Sequence, residues 1–398
     1  MKRKIISMVL ILSLAFNTVG QTAIAYNKTN SNTGLIKLDD KGIEKCVKDV
    51  ALEWAETVKP DVDFTLGEFK EINVVDSDVP EYTVSYFSNA LPYGYAVVVF
   101  QNNEAIVKEA NINPGQEGIY TDLVDTVIDV TDTSRKKLDI DKQIVELAPM
   151  QYGVVAKKKS DKRKKIYDNY RSEMSLDDLS NKSSKYADIE SIYIYNLSSN
   201  NYKVSEKTIL KKYKNKSRLF TQGCITDRTS RFCCCTSAAY QIAYMEGLAT
   251  DTDHGMRNAY NYLWENSGVK VYKTQLDIDY GSCNTRKTKN ALVDLAKKKG
   301  YKGTENYWVK NEPSVSWLKD KLKYNRPILM GYGINVGGKR QGHEISVLGL
   351  IRAKKVSSGK TYNYLMVYDT WHNSPTYINY TTVDFTNCDA AYFWVKKK

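Results

Sequence analysis

Histidine is nearly absent: His254, His343 and His372 are the only three in 398 residues. A zinc centre uses cysteine pairs spaced two to four apart, completed by a second pair or by histidines. The seven cysteines do not follow that spacing. They are Cys46, Cys224, Cys233, Cys234, Cys235, Cys283 and Cys388, and three of them are adjacent. Adjacent residues do not easily turn their sulfurs onto one ion, so no metal is expected. Long apolar runs are also missing. The one from Ile5 to Phe16 is too short to span a bilayer, and no later stretch is long and apolar enough. Nor does a nucleic-acid recognition motif accompany the net charge of +12, so no nucleic-acid partner is expected.

What is present begins with an address. Lys2, Arg3 and Lys4 precede the apolar run, and Ala23-Ile24-Ala25 has the form of a signal-peptidase site. Residues 1–25 are therefore expected to be a signal peptide. Tyr26 then leaves no cysteine to carry a lipid, and a secreted protein follows, its overall style suggesting a Gram-positive bacterium. The basic residues are clustered. Seven of the nine positions from Lys157 to Lys165 are Lys or Arg, and Lys211 to Arg218 is a second cluster. Such blocks read as solvated, flexible chain, with association to an anionic cell wall as a further use. The odd cysteine count suggests either one thiol kept free or none paired.

Hydrophobic spacing divides the rest. Ile43, Val47, Val50, Ala51, Trp54 and Val58 recur at helical intervals, with Cys46 beside the stripe as a small buried residue. TVSYF (83–87), YAVVVF (95–100) and AIVKEANI (105–112), separated by turn-like ALPYG and QNNE, predict an antiparallel meander. These make a compact α+β unit over 26–130. Residues 131–215 are rich in Lys, Asp, Ser and Asn and are expected to be a basic flexible linker with one strand, open to proteases. From 216 to 398 the pattern is helices first, then strands at 327–333, 343–351, 362–369 and 390–395.

RFCCCTSAAYQIAYMEGL, residues 231–248, places the cysteine triplet where a helix should begin. A helix N-terminus favours a thiolate, because its free N–H groups and dipole stabilise negative charge. Cys233 is then a candidate nucleophile, His343 at a strand start a candidate base, and Asp369, ending the next strand, a candidate for orienting that base. Pairing of two of the three cysteines with each other, or with Cys224, Cys283 or Cys388, stays open.

CCCTSAAYQIAYMEG, RPILMGYG, GHEISVLGL and VYDTW, in that order, resemble papain-like cysteine peptidases, most nearly the C39-like and streptopain groups. Those proteins carry Cys at a helix start, Gly-His opening a strand, and Asp or Asn ending the next near a Trp. The resemblance covers 216–398. It implies an α+β papain-like fold with Cys233, His343 and Asp369 as the catalytic triad, and with Trp371 shielding the His–Asp pair. Gln222 would be the oxyanion residue, although it lies eleven residues before Cys233. Cys224, in QGC, is the rival nucleophile. The N-terminal unit, with GYAVVVF, resembles the inhibitory pro-domain of streptopain-like zymogens.

The expected protein is thus a secreted cysteine peptidase made as a zymogen, monomeric, with no cofactor and with a protein or peptide substrate. A cell-wall peptide amidase or acyltransferase of the same fold, and a non-catalytic secreted binding protein, are the alternatives.

Overall fold

A computed structural model describes residues 35–74, 77, 79–161, 163–169, 171, 173–176, 192–195, 202–275, 277–302, 309–336, 339–383, 385 and 387–397. The expected signal segment lies outside these residues. The described chain is mixed α+β, with eight helices and a large, mostly antiparallel sheet of 15 strands.

Helix α1 (Asp40–Val58) begins where the Asp39 carboxylate accepts from the Gly42 N–H at 2.7 Å. Its apolar stripe, including the fully buried Trp54, packs on the meander β2 (Thr65–Val74), β3 (Glu81–Ser88), β4 (Leu91–Gln101) and β5 (Glu104–Ile112). The Trp54 ring stacks on Tyr364, 3.9 Å between centroids, so this helix also touches the C-terminal half.

Where a flexible linker is expected, the described chain is folded. Strands β6 (Leu138–Ala148), β7 (Gln151–Lys158), β8 (Lys165–Asp168) and β9 (Glu173–Ser175) extend the sheet beyond β2. The charged residues that suggested solvated chain alternate with Leu138, Ile144, Val154, Ala156 and Tyr167. These pack with Ile119, Leu123 and Val127 of helix α2 (Ile119–Thr131). The basic run is the turn between β7 and β8. Strand β10 (Ile192–Tyr195) pairs with β1 (Leu35–Leu38).

In the C-terminal half a helical layer covers the other end of the sheet. Helix α3 is Lys211–Asn215 and α4 is Gln222–Thr229. They are followed by α5 (Cys234–Met245), α6 (Asp253–Asn266), α7 (Thr285–Lys298) and α8 (Val315–Lys323). The short strands β12 (Arg231–Phe232), β13 (Lys270–Gln275), β14 (Ile278–Ser282), β15 (Tyr301–Lys302) and β16 (Lys310–Asn311) lie between these helices. Helix α5 lies on β18 (Lys339–Lys355). Its Ala238, Ala239, Ile242 and Ala243 are fully buried, and the Ser346 hydroxyl donates to the Ala238 carbonyl at 2.8 Å. Strand β18 pairs with β17 (Ile328–Val336), β11 (Tyr202–Ile209) and β19 (Thr361–Tyr368). The strand β20 (Thr376–Asn379), which the sequence pattern did not suggest, pairs with β5 from the N-terminal half, Tyr377 opposite Ala110. That pairing makes one continuous sheet of the two halves.

Candidate functional site

Helix α5 starts without a side-chain cap. Cys233 stands at its N-cap position in extended conformation and makes no capping hydrogen bond. Helices α1, α4, α6, α7 and α8 are each capped by Asp39, Thr221, Thr252, Asn284 or Ser314. Helices α2 and α3 also begin without a side-chain cap, and at α5 the Thr236 N–H acts on the Cys233 thiol, where donors of the first turn favour negative charge.

Cys233, 1% exposed, faces inward, with its Sγ 3.9 Å from that of Cys283. Cys235 is also buried, and its thiol lies 3.4 Å from the Cys283 carbonyl. Cys234, half-buried, shares side-chain hydrogen bonds with Cys235 and with His343. The thiol that meets the imidazole is therefore Cys234, one residue beyond the expected Cys233. Cys224, half-buried on helix α4, makes its recorded hydrogen bond through its backbone N–H, which caps on Thr221.

Cys235 has its own pKa raised by its hydrogen bonds to Cys233 and Cys234, so it keeps its single proton, for which Cys233, Cys234 and the Cys283 carbonyl compete as acceptors. The hydrogen bond from Cys235, followed by His343, holds the Cys234 thiol down to about 5 against the opposing effect of burial. Cys233 is also held well below the ordinary thiol range, by Cys235 first and Cys283 second.

His343 is 4% exposed and sits on β18 opposite Tyr332 of β17. Its Nε2 donates to the Asp369 main-chain carbonyl at 3.1 Å. The Asp369 carboxylate is directed elsewhere. It accepts from the Trp371 and His372 N–H groups at 2.9 and 3.0 Å and from His372 Nδ1 at 2.6 Å, and Thr376 Oγ1 donates to it as well. Asp369 thus reaches His343 through its backbone, while its side chain builds the turn that follows. That turn brings Trp371 onto His343, ring centroids 5.6 Å apart and planes 15° from parallel. It also puts Thr370 at φ +74°, a conformation unfavourable for a β-branched residue. The Thr370 carbonyl accepts from the Gln222 N–H at 2.6 Å.

Gln222 is 1% exposed, and both of its amide atoms are buried without a close partner. The Tyr260 hydroxyl is beside that amide and 3.4 Å from the Cys233 carbonyl. The turn at 370 and helix α4 therefore hold an unsatisfied amide near the start of helix α5, despite the long spacing in sequence.

The segment expected as a linker lies against this site. Met150 packs in one buried cluster with Tyr332, whose hydroxyl donates to the Pro149 carbonyl at 3.1 Å. The Tyr332 ring meets His343 edge-on at 5.7 Å. The Arg171 guanidinium lies beside Gly223, next to Gln222. Cys234, Tyr260, Tyr332 and Cys283 were not among the expected site residues. Only Cys234 had a signal in the sequence, as a member of the triplet.

No family model matches this chain, and no curated protein matches it at a significant level.

Proposed function

We propose that the chain is a cysteine peptidase of papain-like type, exported and made in an occluded form, with Cys234 as its nucleophile. The observation that carries this reading is the Cys234–His343 pair, a lowered thiol at an uncapped helix start sharing a hydrogen bond with a buried imidazole. Two supports stand beside it. Trp371 covers the imidazole, and the Asp369 carbonyl accepts from Nε2 and so fixes the tautomer.

The Cys234 thiolate attacks the substrate carbonyl carbon, and the carbonyl electron pair moves to oxygen. The N–H of Cys234, in the first helical turn, and the buried Gln222 amide provide donors for that oxyanion. As the C–N bond breaks, His343 gives its proton to the departing amine, leaving a thioester on Cys234. His343 then takes a proton from water, the hydroxide attacks the thioester, and acid and free thiolate result.

The occluding part is the β6–β8 region together with the N-terminal unit, which we read as a pro-segment. Pro149 and Met150 lie against Tyr332, which neighbours His343, and Arg171 lies beside Gly223; we read this side as the one that a peptide substrate would approach. The basic turn between β7 and β8 is the proposed cleavage region.

Iodoacetamide or E-64 labelling with peptide mapping, before and after mild trypsin treatment, tests both claims. Labelling selective for Cys234 and strengthened by cleavage is expected, with hydrolysis of casein lost in Cys234→Ala. Modification at Cys224 alone, or casein hydrolysis that persists in Cys234→Ala, would overturn the assignment. Activity on purified wall with none on casein would keep the nucleophile and change the substrate to a wall peptide.

A further inference from the structure

Behind the proposed nucleophile the sulfurs of Cys233, Cys235 and Cys283 all lie within 4.8 Å of one another. Absence of a metal was expected because adjacent residues cannot converge. The pair that converges here is not adjacent: Cys233 and Cys235 are two apart, and the helix start turns both to one side while Cys234 faces His343. Cys283 joins them from the loop just before Asn284, the cap of helix α7.

We propose that Cys233, Cys235 and Cys283 form a three-thiolate binding site for a divalent ion of the zinc class, with the buried Glu344 carboxyl behind it. A zinc–sulfur bond of about 2.3 Å in tetrahedral geometry sets sulfurs about 3.8 Å apart. The Cys233 and Cys283 sulfurs are 3.9 Å apart. A disulfide would need about 2.05 Å and would leave the third thiol outside. Glu344 supplies the second, independent observation. Its side chain is 1% exposed, hydrogen-bonds to the Cys235 thiol, and has a buried Oε1 without a hydrogen-bond partner. The groups that act on it most strongly are thiols and the Thr285 hydroxyl, none of them cationic. A buried carboxyl with no cation is costly unless it stays protonated or meets a metal.

Binding releases the thiol protons to solvent. Three thiolates and one divalent ion leave one net negative charge, water fills the fourth position, and Glu344, its pKa pushed up by burial, stays protonated beside Cys235. Soft sulfur donors favour zinc or cadmium over magnesium or calcium. The ion would pin the start of helix α5 to the Cys283 loop. It would also withdraw Cys233 and Cys235 from alkylation and from disulfide exchange with Cys234. None of this depends on the peptidase reading.

The test is metal analysis of the full chain, purified without chelator, followed by cadmium exchange read through thiolate-to-cadmium charge-transfer absorption. About one zinc per chain and a cadmium band of three-sulfur intensity are expected. Cys283→Ser should lose both and Cys234→Ala should keep both. If Cys283→Ser does not fold, the cadmium titration of the wild-type chain decides alone. Zinc below about a tenth of an equivalent together with no cadmium band would overturn the site. So would a cadmium band that survives Cys283→Ser, or a Cys233–Cys283 disulfide in protein purified without oxidant.

Discussion

At Cys234 the sulfur is stabilised as thiolate chiefly by a neighbouring thiol and only second by the imidazole. This ordering has a measurable consequence in the metal-free protein. A lowered pKa means the thiolate persists at all pH values above it, so the alkylation rate should fall only as pH drops through about 5. Removing the donor in Cys235→Ala should move that midpoint upward by more than removing the imidazole in His343→Ala does. Rates of iodoacetamide modification measured from pH 4 to 9 check this, and the reverse order would refute it. Asp369 carries two roles that a single substitution separates. Because its carbonyl, not its carboxylate, accepts from His343, Asp369→Asn should lower kcat/KM by less than about 10-fold, against about 10⁴-fold where an orienting carboxylate is lost. His372 depends on that carboxylate: burial lowers its pKa, but Asp369 outweighs it and lifts the value to about 9. The stabilisation from a raised histidine is complete below the unfolded value of 6.5 and disappears as pH rises through about 9. Thermal unfolding scans should therefore show a loss of about 3 kcal/mol across that window, and His372→Gln should abolish it.

Among the elements, the strand β5 holds the sheet together in two ways. It pairs with β20, and at a register shift in its pairing with β4 it projects Lys108 inward between Glu81 of β3 and Glu146 of β6. All three are buried, and both carboxylates lie within 2.7 Å of the ammonium. Burial and Glu81 push the Glu146 carboxyl well above its ordinary range, so Lys108→Met leaves one carboxylate shared by that buried pair with no cation and should cost about 3–5 kcal/mol in urea denaturation. Replacing all three by Met should restore most of that loss, since a well-packed apolar set substitutes for a buried ion triad. A single substitution that costs nothing would show that the triad is not formed. This region also shows why parts of the fold could be read in advance. The meander from Glu81 to Ile112 and helix α1 announce themselves through recurring Val, Ile, Tyr, Trp and Ala, even though Glu81, Glu104, Lys108, Glu109 and Asn111 are buried among them. DIDKQIVELA in β6 does not, because its partners are distant: Ile144 is set opposite Ile72 across a parallel pairing. The site shows the same limit. That a cysteine leads helix α5 and a histidine lies on β18 could be read from spacing, although β18 begins at Lys339, four residues before His343. Which of three adjacent sulfurs meets His343 depends on the extended backbone of Cys233, and side-chain patterning carries no sign of it.

For the whole molecule, the continuous sheet sets what activation must involve. If the N-terminal unit and the β6–β8 region are a pro-segment, cutting the turn between β7 and β8 breaks the chain but none of the contacts that hold the segment over the site. Strand β5 remains paired with β20, Trp54 remains stacked on Tyr364, and the Lys355 ammonium still donates to the Ala105 carbonyl at 2.6 Å. The β6–β7 turn also keeps Met150 against Tyr332. A nicked protein should therefore elute as one particle in size-exclusion chromatography, and its two fragments should part only under denaturing conditions. Alkylation of Cys234 should rise modestly on nicking and strongly only after further digestion removes the strands from β5 to β8. The Asn111–Thr376 side-chain bond at 3.1 Å spans the same seam, so Asn111→Asp, which sets a second carboxylate close to that of Asp369, should loosen it and speed that second stage. Equal Cys234 alkylation rates in the intact, nicked and fully digested forms would mean that the folded segment does not restrict access. In that case the chain would be active as synthesised, and the basic turn would have some role other than processing.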